Sequence, residues 1–271
     1  MMTEPRLAEI ARICEFAEAG AVAGVPEAAP PEFVRETGLH VEHIGSAVAL
    51  VMERADHILF NRVIGLGLIE PATEAMIDRI VDLYRPHGVR FAVQLSPTAQ
   101  PDALPAWLAA RGIQRGDSWL KFIRGVEPPA PAPTELRITA IGPELAAAYA
   151  ETISAVFEMP PLFRPWTQAN IGRPGWRHYL AFDGDQPVAT AALFVHDGLG
   201  WLGEAGTLPA ARGRGAQSAL LARRITDAAA LGCRRLVVET GDDTPEDPNP
   251  SAHNVRRAGF QLAYRRPNYM P

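Results

Sequence analysis

One stretch of the chain concentrates residues able to do chemistry: Gly206-Thr207-Leu208-Pro209-Ala-Ala-Arg212-Gly213-Arg214-Gly215-Ala216-Gln217. An apolar segment, Leu199 to Leu208, stops at Pro209, and a short basic loop then runs straight into an amphipathic helix. The first turn of a helix leaves backbone N–H groups without intrahelical partners, and the helix dipole adds partial positive charge, so this arrangement forms an anion site. Gly213 and Gly215 allow φ > 0 or close approach of the backbone to a ligand. Arg212 and Arg214 add guanidinium charge suited to phosphate. The implied guest is a phosphorylated cofactor. A solvated turn before a surface helix would read the same way in isolation, so the surroundings must decide. The loop is neither a Gly-x-x-x-x-Gly-Lys-Ser/Thr phosphate loop nor, lacking a third glycine, a dinucleotide-binding turn. That counts against a nucleotide-dependent oxidoreductase.

The elements around the loop alternate between strand and helix. In the second half, strands are expected at Leu136 to Ile141, Tyr179 to Phe182, Val188 to Val195, Leu199 to Leu208, Leu236 to Thr240 and Phe260 to Arg265. Helices are expected at Pro143 to Phe157, Ala216 to Leu231 and Ser251 to Ala258, with an irregular or briefly helical stretch from Pro160 to Trp176. Leu221, Ile225 and Ala228 form the apolar stripe of the helix after the basic loop, Arg223, Arg224 and Asp227 suit an exposed flank, and Gly232 caps its end. The first half repeats the rhythm: strands at Val48 to Met52, Ile58 to Ile64, Val89 to Leu95 and Trp119 to Arg124, and helices at Pro71 to Tyr84 and Ala103 to Ala110. Leu108-Ala-Ala-Arg-Gly112-Ile113 and Val255-Arg-Arg-Ala-Gly259-Phe260 both end a helix on glycine and enter a strand, which reads as a diverged internal repeat. In the first half, however, the matching loop is Gly65-Leu-Gly-Leu-Ile-Glu70-Pro71, where a phosphate would meet a carboxylate. Only one copy is equipped for an anionic cofactor.

Bulk properties agree with two soluble domains. A length of 271 residues suits two units of about 130. The division expected is 1–125, a Pro-rich linker at 126–134 carrying four prolines, and 135–271. A formal net charge of −5 with no basic stripe argues against nucleic acid as a partner. Cys14 and Cys233 suggest neither a disulfide framework nor a metal site. The opening Met-Met-Thr-Glu-Pro lacks the features of a secretory signal, and no uncharged apolar run is long enough for a bilayer, so no membrane partner and a cytoplasmic location are expected.

The strand, Leu208-Pro209, Arg212-Gly-Arg-Gly215-Ala-Gln217 and the following helix resemble the acetyl-CoA-binding motif of GNAT N-acetyltransferases. Asn249-Pro-Ser-Ala-His-Asn254-Val-Arg-Arg-Ala-Gly259-Phe260 resembles the second motif of that family, in the right order and one helix and one strand later. The resemblance implies an α/β (α+β) fold of two GNAT-like domains, each a mixed, mostly antiparallel sheet flanked by helices, with a degenerate N-terminal copy. It implies acetyl-CoA as donor, its pyrophosphate on Arg212, Gly213, Arg214, Gly215, Ala216 and Gln217, and its pantetheine arm paired with Gly206, Thr207 and Leu208. Asn249 or Asn254 would bond the pantetheine amides. A tandem copy can stand in for a dimer partner, so a monomer is plausible. Two positions depart from the pattern: Gln217 replaces a small residue, and Val255 stands where the family's usual tyrosine acid falls.

Transfer to an amine needs a base, because an alkylammonium of pKa about 10.4 is mostly protonated at neutral pH. Proximity in a ternary complex and a backbone N–H at the oxyanion supply the rest, so direct transfer is expected without an acyl-enzyme. Cys233 accordingly reads as a packed thiol. Glu204, a carboxylate in a strand of Leu, Trp, Gly and Ala, is the first candidate for the base, and Glu239 the second. Tyr264 is the candidate phenol acid. His196 and Asp197 read as a solvated turn. Phe163, Trp166 and Trp176, with Arg164, Arg173 and Arg177, fall where the family builds its acceptor wall, or where a loop packs over the sheet. Asp242, Asp243, Glu246 and Asp247 would attract a cationic amine or simply form a solvated loop. The function expected is N-acetylation of a small amine or amino-acid-like molecule. The alternative is a catalytically idle acyl-CoA-binding regulatory module.

Overall fold

The structure is a computed structural model that describes residues 4–271. The chain packs as two compact units: one of the residues through Pro26, Pro31–Lys121 and Ala263–Pro271, the other of Glu27–Pro30 and Phe122–Leu262. By packing, residues 126–134 fall inside the second unit and the last nine residues inside the first. No described helix is long and apolar enough to cross a membrane.

The first unit opens with α1 (Glu4–Ala23), the start of the short α2 (Val25–Ala28) and α3 (Pro31–Thr37), followed by β1 (Leu39–Ile44), β2 (Ala47–Met52), β3 (Arg62–Ile64), α4 (Glu74–Tyr84), β4 (Ala92–Gln94), α5 (Leu104–Ala109) and, as far as Lys121, β5 (Gln114–Arg124). β1 to β3 pair antiparallel and β3 to β4 parallel. The second unit runs β6 (Arg137–Ile141), α6 (Ala146–Val156), α7 (Arg164–Ala169), β7 (Trp176–Asp183), β8 (Gln186–His196), β9 (Leu199–Thr207), α8 (Ala216–Ala230), β10 (Arg235–Gly241) and α9 (Pro250–Arg257). β6 to β9 pair antiparallel and β9 to β10 parallel. Antiparallel strands closing on one parallel pair therefore occur in each unit. The last strand, β11 (Gln261–Met270), begins in the second unit, but from Ala263 on it belongs to the first, antiparallel to β4.

The three helix ends before strands share one chemistry. Gly112, Gly232 and Gly259 all sit at φ between +80° and +87°. The next residue's N–H reaches back to a carbonyl five residues earlier: Ile113 to Leu108, Cys233 to Ala228 and Phe260 to Val255. This is the glycine-terminated Schellman arrangement.

The core of the first unit joins Ile77, Ile80, Val81 and Tyr84 of α4 to Val63, Val93 and Tyr269 of the sheet. The other side carries charge. Glu15 and Glu18 of α1, Lys121 and Arg266 are all fully buried. Arg266 Nη1 lies 2.7 Å from Glu15 and 2.6 Å from Glu18, Lys121 Nζ lies 2.6 Å from Glu18, and Arg62 lies 3.5 Å from Glu18. Burial alone would push the Glu18 carboxyl up, but Arg266, Lys121 and Arg62 together hold it far below the usual carboxylate range.

Several elements depart from the sequence expectation. The strand expected from Ile58 is only Arg62–Ile64, the helix from Pro71 starts at Glu74 with Thr73 as its cap, and the final strand runs on to Met270. Arg224, expected on an exposed flank, is 1% exposed. Breaking a buried ion network by removing one partner leaves an uncompensated charge, so Arg266→Met is expected to destabilise the protein by about 3–5 kcal/mol. Urea denaturation at neutral pH measures this, and a loss under about 1 kcal/mol would show that the network contributes little.

Candidate active site

The second unit departs from regular sheet geometry in β9. Thr190 faces Gly206 and Ala192 faces Gly203, so Glu204 and Ala205 together oppose the single residue Ala191. This is a β-bulge, and Glu204 takes φ +53°, in the left-handed region that non-glycine residues seldom occupy. Three side chains secure it. The Arg224 guanidinium, from α8, donates to the carbonyls of Ala192 (3.1 Å) and Gly203 (3.3 Å), and Thr190 Oγ1 donates to the carbonyl of Glu204 (3.0 Å). Tyr149 of α6 donates its hydroxyl to Glu204 Oε2 at 2.7 Å. Burial lowers the Arg224 pKa to about 10.

The bulge turns the Glu204 carboxylate toward a buried aromatic cluster. His178 Nε2 lies 3.8 Å from Glu204 Oε2. The imidazole stacks on Trp176 (centroids 5.5 Å apart) and meets the Tyr149 ring edge-on at 5.0 Å. Trp176 opens β7, so Trp176, His178, Leu180 and Phe182 share one face, on which Tyr149 and Ile153 of α6 pack against Leu180 and Phe182. Tyr179 points the other way, to Asp227 of α8 at 3.0 Å. His178 is 1% exposed, and neither ring nitrogen has a hydrogen-bond partner among the described residues. Burial holds its pKa down to about 4. Burial also raises the Glu204 pKa, with the Tyr149 hydrogen bond opposing it, while the carboxylate keeps 27% exposure and can meet a substrate. Tyr149 itself is pushed well above the usual phenol value by burial and by the Glu204 charge.

Beside the bulge, β9 and β10 part. Their ladder ends at the pair Leu202–Val238, although β9 continues to Thr207 and β10 to Gly241. A sheet that opens this way leaves the backbone of residues 203–207 facing a slot. The basic loop follows directly. Gly213 is at φ +77° and a side chain there would meet open space, whereas at Gly215 (φ +83°) it would meet the Pro133 carbonyl at 3.0 Å. Thr134 Oγ1 donates to the Arg214 carbonyl at 2.7 Å, so the Pro-rich segment backs one side of the loop and Gly213 lies on the open side. Gly215 caps α8 without any side-chain hydrogen bond, which leaves the N–H groups of Ala216 and its neighbours for an anion. Arg214 is paired with Asp183 through both guanidinium nitrogens, whereas Arg212 reaches only the Thr207 carbonyl, at 3.4 Å. These residues fit a pyrophosphate, with Arg212 rather than Arg214 supplying uncommitted charge.

The other anticipated residues have structural partners of their own. Gly206 packs under α6, where a Cβ would lie 2.1 Å from Val156 Cγ1. Gln217 donates to Ser251 Oγ at 2.7 Å and accepts from Asn254 Nδ2, so it joins α8 to α9. Asn249 caps α9, accepting from the N–H groups of Ser251 and Ala252, and its amide donates to the carbonyls of Gly241 and Asp242. Both asparagines are thus engaged in holding α9 in place. Tyr264 lies in the first unit, where its hydroxyl donates to Glu15 at 2.6 Å. Glu239 accepts from Trp201 Nε1. Cys233 is buried and burial raises its pKa, as a packed thiol requires. Asp243 binds Arg256 at 2.5 Å and the Asn249 N–H at 2.8 Å, tying the acidic loop to α9. Tyr149, His178, Thr190 and Arg224 were not anticipated. Arg224 lies four residues before Ala228 and three after Leu221, so the helical stripe itself marks it as buried.

Thr73 Oγ1 caps α4 by accepting from Met76, the Gln100 backbone bonds both Gly67 and Ala72, and the Glu70 carboxylate accepts from Ser46.

Residues 143–260 match the Acetyltransferase (GNAT) family. No curated protein matches the chain. Among solved structures, a GCN5-related N-acetyltransferase from Kribbella flavida aligns over 96% of this chain and 94% of its own, with TM-score 0.63 and 18% identity. A GCN5-related N-acetyltransferase from Sphaerobacter thermophilus aligns over 96% and 92%, with TM-score 0.61 and 17% identity. A tandem GNAT protein from the clavulanic acid biosynthesis pathway aligns over 95% and 94%, with TM-score 0.57 and 15% identity. These likenesses extend the shared fold over nearly the whole chain. The family match is confined to residues 143–260, and outside them the likeness to solved structures is one of fold.

The buried imidazole has a measurable consequence. Below pH about 6.5 an unfolded histidine takes up a proton that folded His178 refuses until pH about 4. Stability is therefore expected to fall as pH drops through this window, by about 3 kcal/mol in full. Denaturation curves of wild type and His178→Phe between pH 7 and 4 test this, and equal slopes would refute it.

Proposed function

We propose that the second unit transfers an acyl group, acetyl in the first instance, from a coenzyme A thioester to the primary amine of a small molecule, directly and within a ternary complex. The observation that carries this reading is a convergence: the slot between β9 and β10, the open loop at Gly213 and the Glu204 carboxylate all lie along one strand and its continuation. The pyrophosphate would rest on the backbone N–H groups of Arg212 to Gln217, with Arg212 as counter-charge. The pantetheine arm would run back along Thr207 to Gly203 and use main-chain groups that β10 leaves open.

Glu204 is the base in this reading. Burial raises its pKa, which strengthens it as a proton acceptor, and the Tyr149 hydrogen bond opposes that rise. The amine loses its proton to Glu204 and attacks the thioester carbonyl, and a β9 backbone N–H stabilises the oxyanion. As the oxyanion collapses and the C–S bond breaks, the second proton on nitrogen passes to the departing thiolate through solvent, giving the amide and free coenzyme A. A thiol of pKa about 8.5 leaves readily as thiolate near neutral pH, so the chemistry does not require Tyr264 as an acid. Neutral His178 can accept a hydrogen bond from protonated Glu204 or donate one to the carboxylate, without taking charge itself. The first half is a diverged copy in this reading, and the Thr73 cap and the Gln100 backbone stand where its cofactor loop would have been.

Three experiments test the reading. Gly213→Asp places a carboxylate on the open side of the loop, in a residue type that tolerates positive φ. Calorimetry is expected to show at least a tenfold loss of CoA affinity, and unchanged affinity would sink the loop assignment. Glu204→Gln is expected to retain CoA binding while thiol release with an amine panel falls by about 10²–10⁴. In Tyr149→Phe the base loses the hydrogen bond that lowers its pKa, so the acid limb of the kcat/KM profile moves to higher pH. Tight CoA binding by wild type without turnover on any amine would instead favour the idle binding module.

A further inference from the structure

We infer that Trp201 sets the length of acyl chain the slot accepts, restricting the donor to short-chain acyl thioesters. This rests on the acyl-CoA reading above. The pyrophosphate loop follows the C-terminal end of β9, so a cofactor arm laid back along that strand carries its thioester toward the apex where β9 and β10 rejoin. The last paired residues there are Leu202 and Val238, and the first beyond them are Gly203 and Glu239. Trp201 spans both. Its indole folds back across Gly203 so closely that a Cβ there would lie 1.9 Å from the ring. Its Nε1–H is shared between the two Glu239 carboxylate oxygens at 3.1 Å each. The face of the ring is further fixed by Trp176, edge-on at a centroid distance of 6.1 Å.

An indole held by a backbone, a carboxylate and a second indole cannot swing aside without losing its hydrogen bond and its packing. Whatever is attached to the thioester carbonyl extends toward that ring. A short acyl group leaves the ring in place, and a chain long enough to reach it must displace it. The glycine at 203 is part of the device, because any larger residue would push the ring out of the apex.

Calorimetry with the full-length chain tests this without an acceptor, using CoA, acetyl-CoA and hexanoyl-CoA as probes. Wild type is expected to bind acetyl-CoA at least about tenfold more tightly than hexanoyl-CoA. Trp201→Ala is expected to bring the two within about threefold, with Trp201→Phe between, while affinity for CoA itself is preserved in both variants. Equal binding of acetyl-CoA and hexanoyl-CoA by wild type would overturn the inference. So would an unchanged ratio in Trp201→Ala with CoA binding intact. Should Trp201→Ala fail to fold, the ratio in Trp201→Phe decides between the same outcomes. If wild type binds none of the three probes, the acyl-CoA reading itself fails, and this inference with it.

Discussion

The guanidinium of Arg224, buried in the second unit and bonded to the carbonyls of Ala192 and Gly203, is the interaction on which the site's geometry rests. A bulge leaves carbonyls without ladder partners, and buried carbonyls without donors are costly. A cation with several fixed donors answers both at once, at the cost of its own desolvation. With those carbonyls satisfied, β9 can carry an extra residue, Glu204 can occupy left-handed backbone space, and its carboxylate can turn toward Tyr149 and His178. The parting of β9 from β10 begins at the same residues. The base candidate, the slot and the loop are thus consequences of one local irregularity in the sheet.

The two units handle buried polarity in opposite ways. The first neutralises charge with charge: Glu15 and Glu18 meet Arg266, Lys121 and Arg62. The second meets its buried guanidinium, Arg224, with backbone carbonyls, beside an imidazole held uncharged and a carboxylate whose pKa is raised. A saturated ion network resists change, whereas groups with displaced pKa values can exchange a proton during a reaction. The same contrast holds at the helix starts, since α4 is capped by its own Thr73 and α8 starts uncapped at Gly215.

Where local chemistry decides, the sequence was legible. The basic loop, the Gly232 cap and the helix from Ala216 all follow from residue type and spacing, and the structure places them within a residue or so of expectation. The matching ends at Gly112 and Gly259 were equally readable. What stayed hidden depended on contacts distant in sequence. α1 carries Glu15 and Glu18 on its buried face, so its apolar stripe is broken where the charges lie, and only partners such as Lys121 and Arg266 make sense of them. The strand after Phe260 continues through Pro267 because that proline's carbonyl accepts from Leu95, a partner from the other half of the sequence. Gln217 is explained only by Ser251 and Asn254, more than thirty residues on. The bulge at Glu204 has no residue signature of its own, because pairing register defines it.

The placement of residues 263–271 in the first unit has a consequence for how the chain comes into being. Synthesis delivers the N-terminal residues first, and domains usually fold as they emerge. Here the sheet and the ion network of the first unit lack β11 and Arg266 until the far end of the sequence has left the ribosome. Until then Glu15 lacks Arg266 and Tyr264, and Glu18 has only Lys121 and Arg62, which favours a loose, exchangeable assembly over a closed one. The first unit is begun first and finished last. A nonsense or frameshift change near residue 260 would therefore be felt at the start of the molecule as well as at its end, and would expose the incomplete product to proteolysis.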